Sequence, residues 1–186
     1  MVETEVKIRF QGDPQQARDL IESCGYAISE PRILESDQLF DRSDGELRSA
    51  DQLLRLRRSG SRSTVTYKGP ASREKYKSRE EIEFDVSDAS TFESVLERLG
   101  YKPGFRYEKY RTKFAAPPGL VTIDETPVGV FLELEGPVEW IDATAFRMGF
   151  TASEYCTASY AALYREYLLS HGGAPANMVF NSIDAP

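Results

Sequence analysis

The strongest constraint in this sequence is the alternation of charged and apolar side chains along several extended segments. In VETEVK, residues 2–7, the side chains of Glu3, Glu5 and Lys7 share one face of a strand, and the residues between them share the other. The same period of two recurs in LLRLRR, TVTYK, SREEIEFDV, EKYRTKF, TIDE and VFLELEG. The pattern predicts a large, mainly antiparallel sheet with one apolar and one charged face.

The charged face consists almost entirely of Asp, Glu, Lys and Arg. Its acidic members are Glu3, Glu5, Glu81, Glu83, Asp124, Glu133 and Glu135, and its basic members are Lys7, Arg9, Arg55, Arg57, Lys68, Arg79, Lys109 and Arg111. For any single strand, a solvated and salt-bridged face is the simpler explanation. A solvated face usually also carries scattered Ser, Thr and Gln. The joint pattern therefore favours a closed barrel with the charged faces inside and the apolar faces under helices.

Such an interior must contain water, and its charges must be neutralised by a ligand, a metal or opposite charges, because unpaired buried charges are strongly unfavourable. The carboxylates offer the hard oxygen ligands that Mg²⁺ or Mn²⁺ prefer, and the set contains no soft ligands for zinc. The lysines and arginines offer a site for a multivalent anion, since guanidinium groups bind phosphate oxygens in pairs. The combination indicates a phosphate substrate and a divalent metal.

Helices are predicted between and after the strands. Asp13, Pro14 and Gly25 bracket one in GDPQQARDLIESCG, and Asp88 and Gly100 bracket another in DASTFESVLERLG. After the last strand, PVEWIDATAFRMG and TASYAALYREYLLSHG carry apolar residues at helical spacing, and GGAPANMVFNSIDAP has a turn-forming composition. The chain is thus predicted to be an α+β protein.

Six motifs occur in order along the predicted strands. They are ExExK at Glu3, Glu5 and Lys7, LRLR, YKGP, RxExE at Arg79, Glu81 and Glu83, KxR at Lys109 and Arg111, and a terminal ExE. Together they resemble the CYTH superfamily of triphosphate tunnel metalloenzymes, which includes class IV adenylate cyclases, thiamine triphosphatases and inorganic triphosphatases. The resemblance implies an α+β fold with an eight-stranded antiparallel β-barrel that forms a tunnel, and with helices packed on its outside. It implies one domain over residues 1–172, with tunnel strands and two helices in 1–136, C-terminal helices in 137–172, and a tail over 173–186.

The resemblance also implies a role for each charged residue. The metal ligands would be Glu3, Glu5, Glu83, Asp124, Glu133 and Glu135. The triphosphate ligands would be Lys7, Arg9, Arg55, Arg57, Lys68, Arg79, Lys109 and Arg111. Catalysis is assigned to Lys7, Glu5 and Arg57, with Mg²⁺ or Mn²⁺ as the cofactor. The base would be a metal-bound hydroxide, a carboxylate such as Glu5, or a lysine whose pKa is lowered in the cationic tunnel.

Composition narrows the partners and the location. The net charge of −7 argues against binding of nucleic acid over a broad surface. The N-terminus lacks the basic start and apolar run of a signal peptide, and no segment approaches a membrane span, so we expect a cytoplasmic protein without a membrane partner. Cys24 and Cys156 lack metal-ligand spacing and are expected to be buried free thiols. His171, at a predicted helix end, is not expected to act in catalysis. The sequence leaves room for a homodimer.

Several reactions fit the same tunnel. The main expectation is metal-dependent hydrolysis of a small-molecule triphosphate, namely tripolyphosphate or a nucleoside or thiamine triphosphate. The alternative is a class IV adenylate cyclase that makes cyclic AMP from ATP, and a noncatalytic polyphosphate-binding module is a third hypothesis. A lipid-binding barrel would need an apolar lining, which the charged parity excludes.

Overall fold

A closed antiparallel β-barrel with helices on its outer surface forms the fold in the computed structural model, which describes residues 2–172 and 177–180. The barrel strands are β1 (Val2–Phe10), β2 (Ala27–Arg42), β3 (Leu53–Ser59), β4 (Arg62–Lys68), β6 (Lys77–Asp85), β7 (Tyr101–Ala116), β8 (Gly119–Thr126) and β9 (Gly129–Glu135). Two short strands, β5 (Ser72–Arg73) and β10 (Tyr155–Cys156), pair antiparallel with β6 and β1, respectively. The predicted eight-stranded barrel is confirmed.

The barrel closes where its first strand meets β6. The strands follow the order β1-β9-β8-β7-β2-β3-β4-β6, and β6 returns to β1 with Val2 opposite Glu80 and Glu5 opposite Lys77. This seam spans four residue pairs, which is short compared with the long pairing of β2 and β7. The two strands separate beyond the seam, so β6 reaches past the start of β1.

Within the described residues, five α-helices pack on the outside of the barrel, and the predicted caps of two of them are confirmed. They are α1 (Pro14–Ser23), α2 (Glu46–Ser49), α3 (Ala89–Arg98), α4 (Val138–Arg147) and α5 (Tyr160–His171). The Asp13 carboxylate accepts a hydrogen bond from the backbone N–H of Gln16 at 2.9 Å, and Asp88 accepts one from the N–H of Thr91 at 2.9 Å. The one-turn helix α2 was not predicted, because four residues cannot show a helical period.

The main apolar core lies outside the barrel. Val6, Ile123 and Leu132, on the outer faces of their strands, are fully or almost fully buried against Ile21 of α1 and Ile141 of α4. A smaller core packs under α3 and consists of Phe40, Leu56, Val65 and Leu96. Because hydrophobic burial stabilises the outer faces, the inner faces are free to carry charge. The arrangement predicted from strand parity is therefore present.

One end of the barrel is closed by aromatic and apolar side chains. This closed end consists of Tyr107, Phe131, Tyr160 of α5 and Met178, all of which are buried. The residues of β7 that precede Tyr110 lie beyond the last pairing with β8, and residues 177–180 cover that edge. There the backbone N–H of Met178 donates to the carbonyl of Arg106 at 3.0 Å. Part of the predicted tail is thus packed on the barrel, while residues 173–176 and 181–186 lie outside the described part.

Two further sequence expectations can be compared with the structure. Cys24 and Cys156 are both free, as expected, but the prediction that they are buried is wrong, because each thiol residue is only partly buried. His171 is the last residue of α5, as expected from its predicted place at a helix end, and its ring stacks on Tyr167 with 4.0 Å between the ring centroids. Within the described residues, no helix is long and apolar enough to cross a membrane.

Candidate functional site

The barrel interior gathers most of the charged residues that strand parity predicts. The buried ones are Lys7, Arg55, Lys68, Arg79, Glu81, Lys109, Asp124 and Glu133, and the partly buried ones are Glu3, Glu5, Arg57, Arg111 and Glu135. Antiparallel pairing brings them together because residues directly opposite each other on neighbouring strands point to the same face. Lys7 lies opposite Glu133, for example, and Arg111 lies opposite Asp124.

Asp124 is the centre of the charge cluster next to the closed end. Its carboxylate is fully buried, and Oδ2 accepts hydrogen bonds from Lys109 Nζ at 2.7 Å and from the Tyr160 hydroxyl at 2.6 Å. Arg111 Nε donates to Asp124 Oδ1 at 2.6 Å, and the same guanidinium also contacts Glu133. Burial and the neighbouring Arg111 lower the pKa of Lys109. In this structure Asp124 is the counter-charge of two cations.

Glu133 and Glu5 share a lysine further along the interior. Lys7 Nζ lies 3.1 Å from the Glu133 carboxylate and 3.4 Å from that of Glu5, and Glu5 also accepts from Lys77 Nζ at 2.6 Å. Burial alone would raise the pKa of Glu5, but Lys7 and Lys77 outweigh it and lower that pKa well below its ordinary value. Both carboxylates are therefore ionised and paired at neutral pH.

Glu35 and Asp37 belong to the site but were missed by the sequence reasoning. Arg57 donates two hydrogen bonds to the Asp37 carboxylate, at 2.8 and 3.1 Å, and lies 3.0 Å from Glu35. These acids occupy alternate positions of ILESDQLFDR, so their parity was readable. The intervening Ser36 and Gln38 are polar, however, and no apolar face marked which side points inward.

Lys77 and Tyr160 are two further inward residues that were not predicted. Lys77 has the same parity as Arg79 and could have been found from it, although it is the first residue of its strand. Tyr160 comes from a helix, and strand parity carries no signal for a helical side chain that enters the barrel.

A second group of charges lies at the opposite end, the mouth, which we define by Glu3, Glu81, Glu135 and Lys68. Burial and the carboxylates of Glu135 and Glu81 raise the pKa of Glu3 to about 7, and burial and Glu5 raise that of Glu135. Lys68 donates to Glu81 at 2.6 Å. Burial and the nearby cations nonetheless lower the pKa of Lys68 to about 8. Glu81 is thus paired with Lys68 and with Arg79, whose Nε lies 3.4 Å away, whereas Glu3 and Glu135 are the mouth carboxylates with raised pKa values.

Glu83 and Arg9 lie at the rims of the barrel. Glu83 is exposed because it lies past the last pairing of β6 with β1 that the structure describes, although its carboxylate still accepts from Thr66 at 2.8 Å. Arg9 is exposed at the other end, where it donates to the carbonyl of Val128 at 3.0 Å and its guanidinium lies 4.7 Å from the Phe131 ring centroid. The structure thus places Arg9 outside the charged interior, because the strand end carries it past the aromatic residues.

The carboxylates at the mouth are the donors that best fit a hard divalent cation. In residues 2–172 and 177–180, no three carboxylate, imidazole or thiol groups are gathered closely enough to hold a metal ion. Burial and, after it, neighbouring carboxylates raise the pKa values of Glu3 and Glu135, and a bound cation would relieve the repulsion between these carboxylates. Asp124, Glu133 and Glu5 are instead engaged by lysines and arginines.

Comparison with known proteins gives both a family and relatives. A family profile described as the CYTH domain matches residues 1–148. A Methanocaldococcus jannaschii protein provisionally named an adenylate cyclase is 29% identical over 143 residues, which cover 76% of this chain and 81% of that protein.

Solved structures share the fold. A Vibrio parahaemolyticus protein, also provisionally named an adenylate cyclase, superposes with a TM-score of 0.79 at 18% identity, covering 89% of this chain and 98% of that one. A Hippeastrum protein provisionally named an adenylyl cyclase, and described as having a dominant triphosphatase activity, superposes with a TM-score of 0.65 at 17% identity, covering 89% of this chain and 96% of that one.

Proposed function

The chain belongs to the CYTH domain family, and we propose that it binds a linear triphosphate inside the barrel and hydrolyses it with the help of a divalent metal. The proposal rests on one observation, the basic lining of the interior. Lys7, Lys109 and Arg111 are directed inward, and each already lies within ion-pair distance of a carboxylate. A polyanion would offer the same cations more negative charge.

A purely structural role explains this lining poorly. Burying an ion pair costs desolvation energy that its attraction barely returns, and replacing such pairs by well-packed apolar residues is often neutral or stabilising. A barrel of this size could be filled by apolar side chains, as small barrels are. The charged interior is therefore better explained by a charged ligand than by a structural role. Because the cations lie among carboxylates, we infer that this ligand is bound together with a metal ion.

We assign the metal to the mouth, with Glu3 and Glu135 as the first candidates and Glu5 and Glu133 as further ligands once their lysines turn to the substrate. When bound, Mg²⁺ or Mn²⁺ would neutralise phosphate oxygens and act as a Lewis acid. The protein's own cations, Lys7 and the interior arginines, would hold the chain of phosphates in line. The closed end makes the mouth the entry, so an organic group on the substrate would remain there.

Two candidates for the proton acceptor follow from the pKa values. The Glu5 carboxylate stays ionised to low pH, whereas Lys68, with a pKa of about 8, is partly neutral just above neutrality. Dependence on Lys68 would show as a rise in kcat between pH 7 and 9, and dependence on Glu5 would leave the rate flat over that interval.

Cyclisation of ATP is the second candidate function, and the name of the Methanocaldococcus jannaschii relative favours it. The name alone does not decide, because the Hippeastrum protein carries a similar name and is described as a dominant triphosphatase. The two reactions differ in the nucleophile, which is water in one case and the 3′-hydroxyl of ATP in the other. A noncatalytic polyphosphate binder is less favoured, since carboxylates facing a pure anion site would repel its ligand.

A turnover panel tests the proposal. Tripolyphosphate, ATP, GTP and thiamine triphosphate are incubated with Mg²⁺ or Mn²⁺, and orthophosphate, pyrophosphate and cyclic nucleotide are resolved. We expect wild type to release orthophosphate. Glu133→Gln should abolish the release, because it removes a charged candidate metal ligand while the side-chain volume hardly changes. Cyclic AMP with pyrophosphate would instead support the cyclase. Tight binding of tripolyphosphate without any turnover would leave only the binding module.

A further inference from the structure

Tyr160 connects helix α5 to the charged interior, although it lies beyond the residues that match the family profile. Ser159 caps the helix by accepting from the N–H of Ala162 at 3.3 Å, which makes Tyr160 its first residue. The Tyr160 side chain enters the barrel, is 6% exposed, and packs edge-on against Phe131. Its hydroxyl donates to Asp124 Oδ2 at 2.6 Å.

The hydroxyl shares its acceptor with the two cations nearest the closed end. Asp124 Oδ2 also accepts from Lys109 at 2.7 Å and from Arg111 at 2.5 Å. The Tyr160 ring lies 5.2 Å from Lys109 Nζ and 5.3 Å from Lys7 Nζ, within the range of a cation–π contact. Three donors thus converge on one buried oxygen, and only one of them is neutral.

Binding of a phosphate chain would disturb this arrangement. Lys109 and Arg111 would have to turn towards phosphate oxygens, and the fully buried Asp124 would then lose the donors that satisfy it. A buried carboxylate without donors is strongly unfavourable. The Tyr160 hydroxyl is neutral, so it is not attracted to the phosphate as a counter-charge. It can therefore keep its hydrogen bond to Asp124 when Lys109 and Arg111 move to the phosphate.

We infer that Tyr160 is a positioning residue that keeps Asp124 satisfied while Lys109 and Arg111 transfer to the phosphate at the closed end. The inference rests on the proposed function, because it requires a phosphate chain in the barrel. It assigns to the C-terminal helix a direct part in ligand affinity. It also explains why a tyrosine occupies a buried position where phenylalanine would pack equally well.

The test compares the binding of tripolyphosphate by calorimetry in EDTA, without divalent metal, to wild type, Tyr160→Phe and Tyr167→Phe. The control removes the same hydroxyl seven residues further along α5, where the ring stacks on His171. We expect Tyr160→Phe to weaken binding roughly tenfold, the size of one lost hydrogen bond to a charged acceptor, and Tyr167→Phe to change it less than twofold. Because Phe keeps the ring, the packing of the closed end is preserved.

A double-mutant cycle shows whether Tyr160 acts through the carboxylate. In the Asp124→Asn background, Tyr160→Phe should weaken binding less than twofold, since the charge it serves is gone. An equal loss in both backgrounds would overturn the inference. Wild-type affinity of Tyr160→Phe for tripolyphosphate would also overturn the inference. This single-variant result suffices even if Asp124→Asn does not fold, and it would leave the proposed function intact. Failure of wild type to bind tripolyphosphate in EDTA would overturn the inference, and failure in Mg²⁺ or Mn²⁺ as well would refute the proposed function.

Discussion

Asp124→Asn and Glu3→Gln should change the stability of the metal-free protein in opposite directions, although both remove one negative charge. Asp124 is fully buried and is the shared acceptor of Lys109 and Arg111. Removing one partner of a buried ion pair costs about 3–5 kcal/mol. The lower end applies here, about 3 kcal/mol, because Glu35 lies 3.6 Å from Lys109 and would retain part of the compensation. For a chain of this size the melting temperature should fall by about 6–12 °C.

Glu3 lies among like charges, and its removal should stabilise. Its pKa is about 7 in the folded protein against an ordinary 4.5, so folding favours the protonated form. The stability from that proton is complete below pH 4.5 and is lost as the pH rises through 7. At pH 8 the ionised carboxylate therefore destabilises the fold, and Gln relieves this. Because Glu3 is only half-buried, solvent screening reduces the gain to about 1 kcal/mol, or about 2–4 °C.

Thermal unfolding in EDTA, followed by circular dichroism, measures both effects. At pH 8 we expect a lower melting temperature for Asp124→Asn and a higher one for Glu3→Gln, and the gain for Glu3→Gln should shrink as the pH is lowered towards 5. Destabilisation by both variants at pH 8 would contradict the charge distribution described for the mouth. Stabilisation by Asp124→Asn would contradict the role of this carboxylate as the counter-charge of Lys109 and Arg111.

Two further predictions concern ligand length and backbone packing. Arg111→Ala and Arg57→Ala should each lower kcat/KM for tripolyphosphate by roughly tenfold to a hundredfold and affect pyrophosphate less, as inhibition or turnover constants for both ligands will show. Equal losses for the two ligands would mean that the barrel does not discriminate phosphate chain length. Gly119→Ala should destabilise the fold by about 1–3 kcal/mol, because a Cβ there would lie 2.4 Å from the Trp140 ring and 2.6 Å from the carbonyl of Glu135. Urea unfolding measures this loss, and an unchanged urea midpoint would show that α4 can move to make room.

Strand parity was enough to predict the barrel and most of its lining before the structure was known. Strict alternation on β1, β7 and β9 predicted that Lys7, Lys109 and Glu133 point inward, and all three are buried there. The helix caps at Asp13 and Asp88 were equally local and were confirmed. These features are readable because a strand has a fixed period of two and a cap depends on a few adjacent residues.

The pairing of the charges and the positions of the two barrel ends depend on tertiary contacts that the sequence pattern does not show. Strand parity gives the face of a side chain but not its height along the barrel, so Arg9 and Glu83 share the inward parity and still lie at opposite rims. Asp37 was hidden because its strand has no apolar face, and Tyr160 because a helix delivers it into the interior. The pairing of Asp124 with cations and the surplus negative charge around Glu3 depend on strand register and burial. Those are properties of strands distant in sequence, and no local pattern encodes them.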